Sequence, residues 1–519
     1  MAYSVFSDTQ WLYPDSVHSK GKRIELMLAR GGHDGAQILF DTVDAETEVY
    51  LEWEQPGLKG TLFQLLPVVV NENTAPTTMT TMDYESCCSY VTRKAPFEVY
   101  DALRPMEKTV LPGRLAMYLS VEAGTDADPG IYVGKLWLRE HVTVTACIPV
   151  EVQVLCVQVP PLSQAKLGML NFFNYEGLAD QHPVQMDSLP YWNVFRAYVR
   201  AQLDLRCTHI LLPAGEPVYR DGRLVDFDFS RAEIAGNIAR QSGAPFLCGG
   251  HIAHWNQWDE QEYYPFWDAE TGVTTPAGYL QLRLYFQRWA EVIQRNGWKC
   301  CMTQALADEP QSYNAATYRI LAAICRKFLP GIPIIDAVET TDLGGAVDVW
   351  VPKQDTYEQH RADFDTLKAA GETIWFYTCA FPAGPTMNRS MDLPLTVSRT
   401  VLWMGARYGL SGFLHWGFNY YAGTDIWHSA CCPHKGALLP AGDAHIVYPG
   451  ENGPWPSLRF MAQRGGAEDY ELLMQAMERD ADRTKTLIAT VCRSFRDYTK
   501  SGAVLQNARR QLLAFLSSV

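Results

Sequence analysis

The sequence lacks the excess of basic residues that a protein of nucleic acids or membrane surfaces needs. Its 44 lysines and arginines face 58 aspartates and glutamates, which gives a formal charge of −14 and a pI near 5.4. Phosphate backbones and anionic lipid surfaces are bound through clustered positive charge. We therefore expect neither nucleic acid nor a membrane among the partners of this protein.

Targeting segments and metal-binding motifs are also missing from the sequence. No run approaches the ~18 apolar residues of a membrane helix, and residues 1–10 contain no basic segment followed by an apolar one, so we expect no secretory signal. The 13 cysteines are scattered, and none forms a CxxC pair with the spacing of a zinc site. We predict a cytoplasmic protein with reduced thiols, no metal and no other cofactor.

Common signatures of nucleotide-binding proteins and of hydrolases with a protein nucleophile do not occur. There is no GxGxxG or Walker sequence, which a doubly wound nucleotide-binding fold would favour. There is no GxSxG elbow of a serine hydrolase, and no cysteine stands in an activated context. These absences make a dinucleotide enzyme or a hydrolase with a serine or cysteine nucleophile a poor interpretation.

Aromatic residues are what the sequence has in surplus. It contains 15 tryptophans, 26 tyrosines and 21 phenylalanines, or 12% of the chain. Aromatic faces stack on the C–H faces of sugar rings, so this composition hints at carbohydrate. A large apolar core also uses aromatic side chains, and composition leaves both interpretations open.

Residues 1–161 have the pattern of short β-strands separated by turns. Residues 114–121 and 143–159 alternate polar and apolar positions, and residues 128–138 form a turn followed by a similar strand. Repeated β patterns with few helical windows predict a β-sandwich domain. The pair Pro160-Pro161 ends the last run and marks the predicted boundary.

Residues 162–475 alternate between strand-length apolar runs and amphipathic helical windows. The eight runs begin at Leu167, His209, Pro245, Cys301, Ile332, Val347, Thr373 and Gly412. Eight β-α alternations in this length predict a (β/α)8 TIM-type barrel; a doubly wound sheet is the alternative, less favoured without a phosphate loop. Residues 476–519 are predicted to form a C-terminal helical segment.

The acidic pair Asp308-Glu309 follows the fourth run, where a barrel carries its active site. Neighbouring carboxylates can have different pKa values, so that one acts as a general acid while the other orients the substrate. Pro310 suits a rigid turn after the pair or the first position of a helix. The alternative is that these acids only open a helix and complement its dipole.

Other polar or aromatic residues follow the remaining runs. They are Asn171, Asn174, His251, His254, Trp350, Tyr377, Trp416 and Asn419. The two histidines are three residues apart but have no third ligand nearby, so a substrate hydrogen bond is favoured over a metal for His251. Trp350 and Trp416 are either stacking platforms or core, and the Tyr377 hydroxyl needs a partner if it is buried.

Several segments together resemble the catalytic barrel of glycoside hydrolase family 123. They are Ala307-Asp-Glu-Pro, Val347-Asp-Val-Trp-Val-Pro, Trp375-Phe-Tyr-Thr-Cys, residues 407–419 and residues 448–471. The resemblance covers roughly residues 165–475, and the strand that begins at Pro129 is similar to the family's N-terminal β-sandwich.

This resemblance implies an exo-acting, retaining β-N-acetylgalactosaminidase in which the substrate's 2-acetamido group is the nucleophile. No protein nucleophile is then needed. By position, Asp308 would orient the acetamido N–H and Glu309 would be the general acid/base. Tyr377 would donate to the acetamido oxygen, and Trp416 would form a wall of the sugar site. His251 and Asn419 are expected to contact substrate hydroxyls.

The expected partner is a small glycoside or oligosaccharide with terminal β-linked N-acetylgalactosamine (GalNAc), and a homo-oligomer stays open. One alternative is a β-N-acetylglucosaminidase. Another is a glycosidase of the same fold that uses other carboxylates on a sugar without an acetamido group. A third is a non-catalytic carbohydrate-binding protein, against which the intact Asp308-Glu309 pair counts.

Overall fold

The computed structural model describes residues 1–44, 46–106 and 110–518, and the elements below belong to these residues. Eleven strands precede the predicted domain boundary. They are β1 (Tyr3–Ser7), β2 (Ile24–Arg30), β3 (His33–Val43), β4 (Thr47–Trp53), β5 (Leu58–Val70), β6 (Asn73–Thr74), β7 (Thr80–Thr81), β8 (Phe97–Pro105), β9 (Gly113–Ala123), β10 (Gly130–Glu140) and β11 (Thr143–Gln158).

Two sheets organise this first region. The five-stranded sheet has the order β1-β3-β9-β5-β8 and is antiparallel throughout, and the four-stranded sheet has the order β2-β11-β10-β4. In β11, Ile148, Val150 and Val152 are buried while Glu151 and Gln153 are exposed, which is the period of two that the sequence predicts.

The two sheets share one apolar core. Ile38 and Met117 of the five-stranded sheet belong to the same buried cluster as Leu136 and Val152 of the four-stranded sheet. Side chains from the inner faces of two packed sheets form such a layer in β-sandwiches.

The rest of the chain alternates strands with helices. Its strands are β12 (Gly168–Asn171), β13 (His209–Leu212), β14 (Glu216–Arg220), β15 (Arg223–Asp228), β16 (Phe246–Gly249), β17 (Ala253–His254), β18 (Tyr264–Pro265), β19 (Met302–Gln304), β20 (Ile335–Val338), β21 (Val349–Pro352), β22 (Thr373–Ile374), β23 (Phe376–Thr378), β24 (Gly412–His415), β25 (Pro433–His434), β26 (Ala437–Leu438), β27 (Val447–Gly450) and β28 (Gly453–Pro456). Each of the eight predicted apolar runs overlaps at least one of these strands.

Eleven α-helices lie within the described residues. They are α1 (Glu176–Gln181), α2 (Leu189–Asp204), α3 (Ser230–Gln241), α4 (Pro276–Arg295), α5 (Ala315–Phe328), α6 (Gln354–Gln359), α7 (Arg361–Ala369), α8 (Thr396–Tyr408), α9 (Leu458–Arg479), α10 (Ala481–Val491) and α11 (Gly502–Ser517). In this part of the chain, no helix is both long and apolar enough to cross a membrane.

Local sequence signals explain where several helices begin and end. The side chains of Ser188, Thr275 and Ser457 accept hydrogen bonds from the first-turn amides of α2, α4 and α9. Helix α8 ends at Gly409, whose φ of 64° is a left-handed conformation that costs glycine little. These caps fix the lengths of the helices between the strands.

The central strands form two parallel sheets. One has six strands in the order β19-β16-β13-β12-β24-β23, and the other has three in the order β20-β21-β22. Isolated parallel bridges join Gln304 of β19 to Ile334, which directly precedes β20, and Tyr377 of β23 to Lys353, which directly follows β21. The mixed sheet and helix architecture expected from the sequence is confirmed.

The C-terminal helices contact the first region through one buried and one largely buried ion pair. Helix α9 runs across the predicted boundary between residues 475 and 476 and carries Arg459, which pairs with Asp101 of β8 at 2.9 Å. In α11, Arg509 pairs with Asp34 of β3, also at 2.9 Å. The helices therefore tie the N-terminal sheets to the rest of the fold.

Candidate active site

The acidic pair lies on the segment that follows β19. Asp308 is exposed, whereas Glu309 is partly buried and has a φ of 48°, in the left-handed region. Such a conformation is strained for a residue with a side chain and persists only where the surroundings hold it. The buried Asp336 carboxylate provides part of that support, because it accepts the backbone N–H of Leu306 at 2.9 Å.

The Glu309 carboxylate shares the Tyr377 hydroxyl with a second acid, Glu339. The hydroxyl contacts Oε1 of Glu309 and lies 2.9 Å from Oε1 of Glu339. A phenol has one proton and cannot donate it fully to two carboxylates. If the Tyr377 hydroxyl donates its proton to Glu339, a protonated Glu309 can donate its own proton to the Tyr377 oxygen. The arrangement therefore suits a neutral Glu309.

Electrostatics favour the same protonation state. Burial raises the pKa of Glu309 to about 7, and the negative charges of Asp308 and Glu339 act in the same direction. The Tyr377 hydrogen bond and the Lys353 charge oppose this rise. A carboxyl group with such a pKa is suited to general acid catalysis near neutral pH.

Glu339 is held by three donors. The Lys353 ammonium and the Tyr377 hydroxyl contact its Oε1, and the Thr356 hydroxyl donates to its Oε2 at 2.7 Å. Sequence reasoning missed Glu339 and Lys353. Each directly follows a parallel strand, β20 or β21, so the strand-end rule that selected Asp308 could have found them.

The segment that carries Asp308 pairs with the segment that carries His251, through a bridge from Ala307 to Ala253. The Asp308 residue keeps some exposure to water, but partial loss of hydration still raises the pKa of its carboxyl group. The positive charges of His251 and Lys353 oppose this rise, and the negative charge of Glu339 adds to it. Burial disfavours a charged His251, but Asp336, 3.2 Å from its Nε2, and then Asp308 outweigh burial and raise the pKa of His251. The 3.2 Å ion pair lacks hydrogen-bond geometry.

Trp416 belongs to a second polar group near the first. Its indole Nε1 donates to Asp443 Oδ2 at 2.9 Å, and its ring packs 5.4 Å from the ring of Tyr420. Burial, followed by the carboxylates of Glu309 and Asp443, raises the pKa of the Cys379 thiol. Asn388 donates to the Cys379 carbonyl oxygen at 2.7 Å and to Asp443 Oδ1 at 3.3 Å, so Trp416 and its partner lie near the strand end that carries Tyr377.

Trp350 lies away from this group. The side chain is 1% exposed, packs edge-on against Phe364 of α7, and donates to Glu372 at 3.3 Å. The next residue, Val351, belongs to the apolar cluster shared by both parallel sheets. Because side chains alternate along a strand, Trp350 faces the helices instead. A stacking role for Trp350 is not supported by this position.

The two asparagines also have buried partners other than the acidic group. Asn171 accepts a hydrogen bond from Arg389 at 3.2 Å and donates to the thiol of Cys207. Asn419 pairs with the backbone of Asn174, accepting its N–H at 2.8 Å and donating to its carbonyl at 3.0 Å. Both side chains are fully buried, and these contacts join segments of the fold.

His254 does not join His251 in a metal site. Its ring stacks on Phe266 with centroids 5.1 Å apart, and its Nδ1 lies 3.2 Å from the Trp255 carbonyl oxygen. Among the described residues, no three His, Cys, Asp or Glu side chains form a group that could hold a metal ion.

Residues 247–476 match the family model described as "Glycoside hydrolase 123, catalytic domain". A solved structure of a family 123 glycoside hydrolase from Clostridium perfringens, reported with the details of glycolipid glycan hydrolysis, is similar to this chain with a TM-score of 0.75. The two are 12% identical over 99% of this chain and 98% of that one. This likeness shows a shared fold.

Two other glycoside hydrolases are less similar. A family 39 enzyme from Bacteroides cellulosilyticus has a TM-score of 0.37 at 11% identity, over 85% of this chain and 81% of its own. A Bacteroides ovatus family 5 xyloglucanase has a TM-score of 0.36 at 10% identity, over 90% and 100%. Neither likeness supports an inference about this chain.

No curated protein matches the sequence. The family match begins within β16 and extends into α9, so it includes Asp308, Glu309, Glu339, Lys353 and Tyr377. The chain therefore resembles glycoside hydrolase family 123, as its sequence predicts, and this family supports glycosidase activity.

Proposed function

We propose that this protein is an exo-acting, retaining β-N-acetylgalactosaminidase that works by substrate-assisted catalysis. The observation that carries the proposal is the environment of Glu309, where burial and Asp308 raise the pKa to about 7 while Tyr377 contacts the carboxyl group. A carboxylic acid that keeps its proton near neutral pH can donate it to a glycosidic oxygen.

In the first step, the substrate's acetamido oxygen attacks the anomeric carbon as the bond from that carbon to the leaving oxygen breaks. Glu309 gives its proton to the leaving oxygen, and Asp308 accepts a hydrogen bond from the acetamido N–H. In the second step, the Glu309 carboxylate takes a proton from water, whose oxygen attacks the anomeric carbon and opens the oxazolinium ring. Two inversions retain the β configuration.

The other site residues have positioning roles in this proposal. Tyr377, which contacts Glu309, would turn its hydroxyl to the acetamido oxygen when substrate binds. Trp416 is half-buried and would form an apolar wall, and His251, whose segment pairs with that of Asp308, would contact a hydroxyl group. The GalNAc preference rests on the family resemblance, to which the Clostridium perfringens structure, reported with glycolipid glycan hydrolysis, adds support.

Glu339 makes a second mechanism testable. Glu309 and Glu339 contact the same hydroxyl, so the two carboxylates are closer together than the ~6.5–9.5 Å of inverting enzymes. This proximity favours a retaining reaction in which Glu339 is the nucleophile, on a sugar without an acetamido group. Against it, both oxygens of Glu339 already accept contacts from Lys353, Tyr377 or Thr356. We therefore prefer the substrate as the nucleophile.

The proposal includes a (β/α)8 barrel built from both parallel sheets. It is supported by the bridges between the sheets and by one buried cluster that contains Leu170, Cys248, Ile335, Val351 and Leu414 from five strands. The acidic group follows the carboxyl ends of its strands, where barrel enzymes have their active sites. The division at residue 161 is part of the same proposal.

A cytoplasmic setting completes the proposal. All 13 cysteines lie in the described part of the chain, and each is a free thiol. Reduced thiols are typical of proteins from reducing compartments.

Release of 4-nitrophenol from α- and β-linked glycosides of GalNAc, N-acetylglucosamine and galactose tests the proposed activity. We expect turnover of the β-GalNAc glycoside, and a loss of about 10²–10⁴-fold in Glu309→Gln because an amide cannot donate the acid proton. The matched control is Glu372→Gln, which changes an exposed carboxylate at Trp350. Wild-type turnover by Glu309→Gln would refute the assignment of the acid.

Inhibition by a GalNAc-derived thiazoline distinguishes the two mechanisms, because this oxazoline mimic fits only a site that processes an acetamido group. We expect tight inhibition. If Glu339 is instead the nucleophile, Glu339→Ala will lose turnover and external azide will restore it, with an α-glycosyl azide as product.

A further inference from the structure

A cavity of about 460 Å³ lies where the N-terminal sheets meet the rest of the fold. Its walls come from β5, β8 and β9 of the five-stranded sheet, from α2 and α9, and from the hairpin of β27 and β28. Sites for small molecules have volumes of roughly 300–1,000 Å³ and are frequent at such junctions. The side chains that line this cavity include none of the acidic group, so the proposed reaction does not use it.

Direct contacts fix the walls of the cavity. Gly453 in the hairpin has a φ of 147°, which side chains rarely adopt, and a Cβ there would lie 2.7 Å from the Cβ of Ala197 in α2. The hairpin therefore packs directly on α2. Across the junction with the first region, Arg464 of α9 donates to Glu122 of β9 at 2.8 Å. The cavity is thus formed before any ligand arrives, which lowers the entropy cost of binding.

Strand alternation places polar side chains of β9 at the cavity. Leu119 and Val121 belong to the core between the two sheets, so Ser120 and Glu122 point to the opposite face. The Ser120 hydroxyl is buried and has no hydrogen-bond partner among the described residues. Buried hydroxyl groups are normally paired, so this wall has hydrogen-bonding capacity that the described protein atoms leave unused.

The charged side chains at the cavity disfavour a charged ligand. Glu122 is already bound by Lys59 at 3.2 Å and by Arg464. The lining side chains that make no ion pair within the described residues are two basic and two acidic ones, Arg104, Arg200, Asp204 and Glu451. An anion would meet the two acids, and a cation would meet the two arginines. Hydroxyl groups both donate and accept hydrogen bonds, so a neutral polyhydroxyl compound suits both kinds of side chain.

Trp455 gives the cavity an aromatic surface. It is partly buried, and its indole lies against Gly450 on the other strand of the hairpin, where a Cβ would not fit. The ring also packs edge-on against that of Trp427, with centroids 6.1 Å apart. These contacts hold the indole at the cavity, where its face can cover the C–H face of a sugar ring.

We propose that this cavity binds a neutral saccharide at a second site, separate from the catalytic one. An aromatic face beside unpaired side chains of both charges is the combination that a sugar ring and its hydroxyl groups require. Arg200 and Asp204 lie in the last turns of α2, and His209, where β13 begins, follows Asp204 by five residues. The acidic group instead follows the carboxyl ends of the parallel strands. The inference therefore does not rest on the sugar on which Glu309 acts.

The test is a ligand-observed NMR titration with three neutral disaccharides, lactose, cellobiose and maltose, and with two charged sugars, glucuronate and glucosamine. We expect the wild type to bind at least one neutral disaccharide. Trp455→Ala, Arg200→Gln and Asp204→Asn should each weaken that binding about 3- to 10-fold, the range for one lost aromatic contact or hydrogen bond. Arg200 and Asp204 are exposed, so their variants keep the fold even if Trp455→Ala unsettles the hairpin. The matched control is Arg196→Gln, one turn before Arg200 on α2 and outside the cavity.

Activity measurements separate this site from the catalytic one. The cavity variants should keep the wild-type kcat/KM on 4-nitrophenyl β-GalNAc, and a parallel loss of kcat/KM would contradict a separate site. The second site is also overturned if none of the three disaccharides binds, if the cavity variants bind them as the wild type does, or if a charged sugar binds more tightly than every neutral one. If the wild type cleaves no GalNAc glycoside, the proposed function fails, and the titration still decides whether the cavity binds a saccharide.

Discussion

Glu339 accepts a hydrogen bond from the Tyr377 hydroxyl at 2.9 Å, and this contact links it to Glu309, the proposed acid, on the other side of the same hydroxyl. The charge of Glu339 is one of the causes that raise the pKa of Glu309. Protonation of the acid is therefore set partly by a residue that need not touch the substrate.

The Glu339→Gln variant should move the alkaline limb of the pH–rate profile to lower pH. Glu309 must carry its proton to act as an acid, so wild-type kcat/KM should fall as the pH rises through about 7. The substitution removes a negative charge that raises the pKa of Glu309 and leaves the opposing Lys353 charge in place. Both effects favour the ionised acid, and we expect a shift of about half a unit to one unit.

Thr356→Val is the control for this measurement, since it removes a hydrogen bond to Glu339 without changing charge. Its alkaline limb should stay with that of the wild type. A limb that moves to higher pH in Glu339→Gln would contradict the electrostatic coupling.

Strand ends explain why part of the site could be predicted from the sequence. Asp308, Glu309 and Tyr377 follow or end apolar runs, and the structure brings Glu309 and Tyr377 into contact. Glu339 and Lys353 satisfy the same rule, because each directly follows a parallel strand, β20 or β21, but the sequence analysis did not select them. The ion pair between Lys353 and Glu339 forms only because β20 and β21 pair in the fold.

Other positions could not be assigned because both faces of the central strands are covered. Trp350 and Val351 are adjacent apolar residues, and only the structure reveals that Val351 shares the inner cluster while Trp350 packs on Phe364. Strands buried on both faces have no polar side to reveal their orientation. The N-terminal strands were easier to predict, because residues such as Glu151 and Gln153 mark a solvent face.

Asn171→Ala should reduce stability while leaving substrate binding unchanged. The side-chain oxygen of Asn171 accepts from the buried Arg389, and its loss leaves that donor unsatisfied. The expected cost is about 1–3 kcal/mol, measured as a lower urea midpoint, with KM unchanged in the folded enzyme. The control Asn237→Ala, whose amide makes a contact of 3.4 Å at a partly buried site, should cost less. A raised KM with an unchanged midpoint would instead identify Asn171 as a substrate contact.

Breaking the Asp101–Arg459 pair should destabilise the whole fold. Both side chains are 0% exposed, and the pair joins β8 to α9 at 2.9 Å. Asp101→Asn leaves the buried Arg459 charge without its counter-charge, and Arg459→Met does the same to Asp101. Each substitution should therefore cost about 3–5 kcal/mol in the free energy of unfolding. The double variant should cost less than the two single losses together.

The exposed pair of Arg93 and Asp15 is the reference for the buried one. Solvent screens this pair, so Asp15→Asn should change the free energy of unfolding by about 0–1 kcal/mol. Equal effects at the buried and exposed pairs would show that burial does not control the cost.

Glu468→Gln should lower the stability of the fold at neutral pH. It should also make stability fall less steeply as the pH is lowered. Burial alone would raise the pKa of Glu468, but His33, Arg464 and Arg206 outweigh it and lower the pKa far below its usual range. Its Oε1 lies 2.7 Å from His33 Nδ1, and its Oε2 accepts the His33 amide at 2.9 Å.

A lowered folded-state pKa means that the ionised group stabilises the native protein at every pH above the unfolded value of about 4.3. That stabilisation is lost as the pH falls below this value, because the unfolded chain then binds a proton that the native protein resists. Urea midpoints measured from pH 7 to pH 3 should therefore fall steeply in the wild type and less steeply in Glu468→Gln, which has no proton to bind at this position. The exposed Glu451→Gln should keep the wild-type slope. If Glu468→Gln also keeps that slope, the acid sensitivity arises from other carboxylates and the His33–Glu468 contact does not set it.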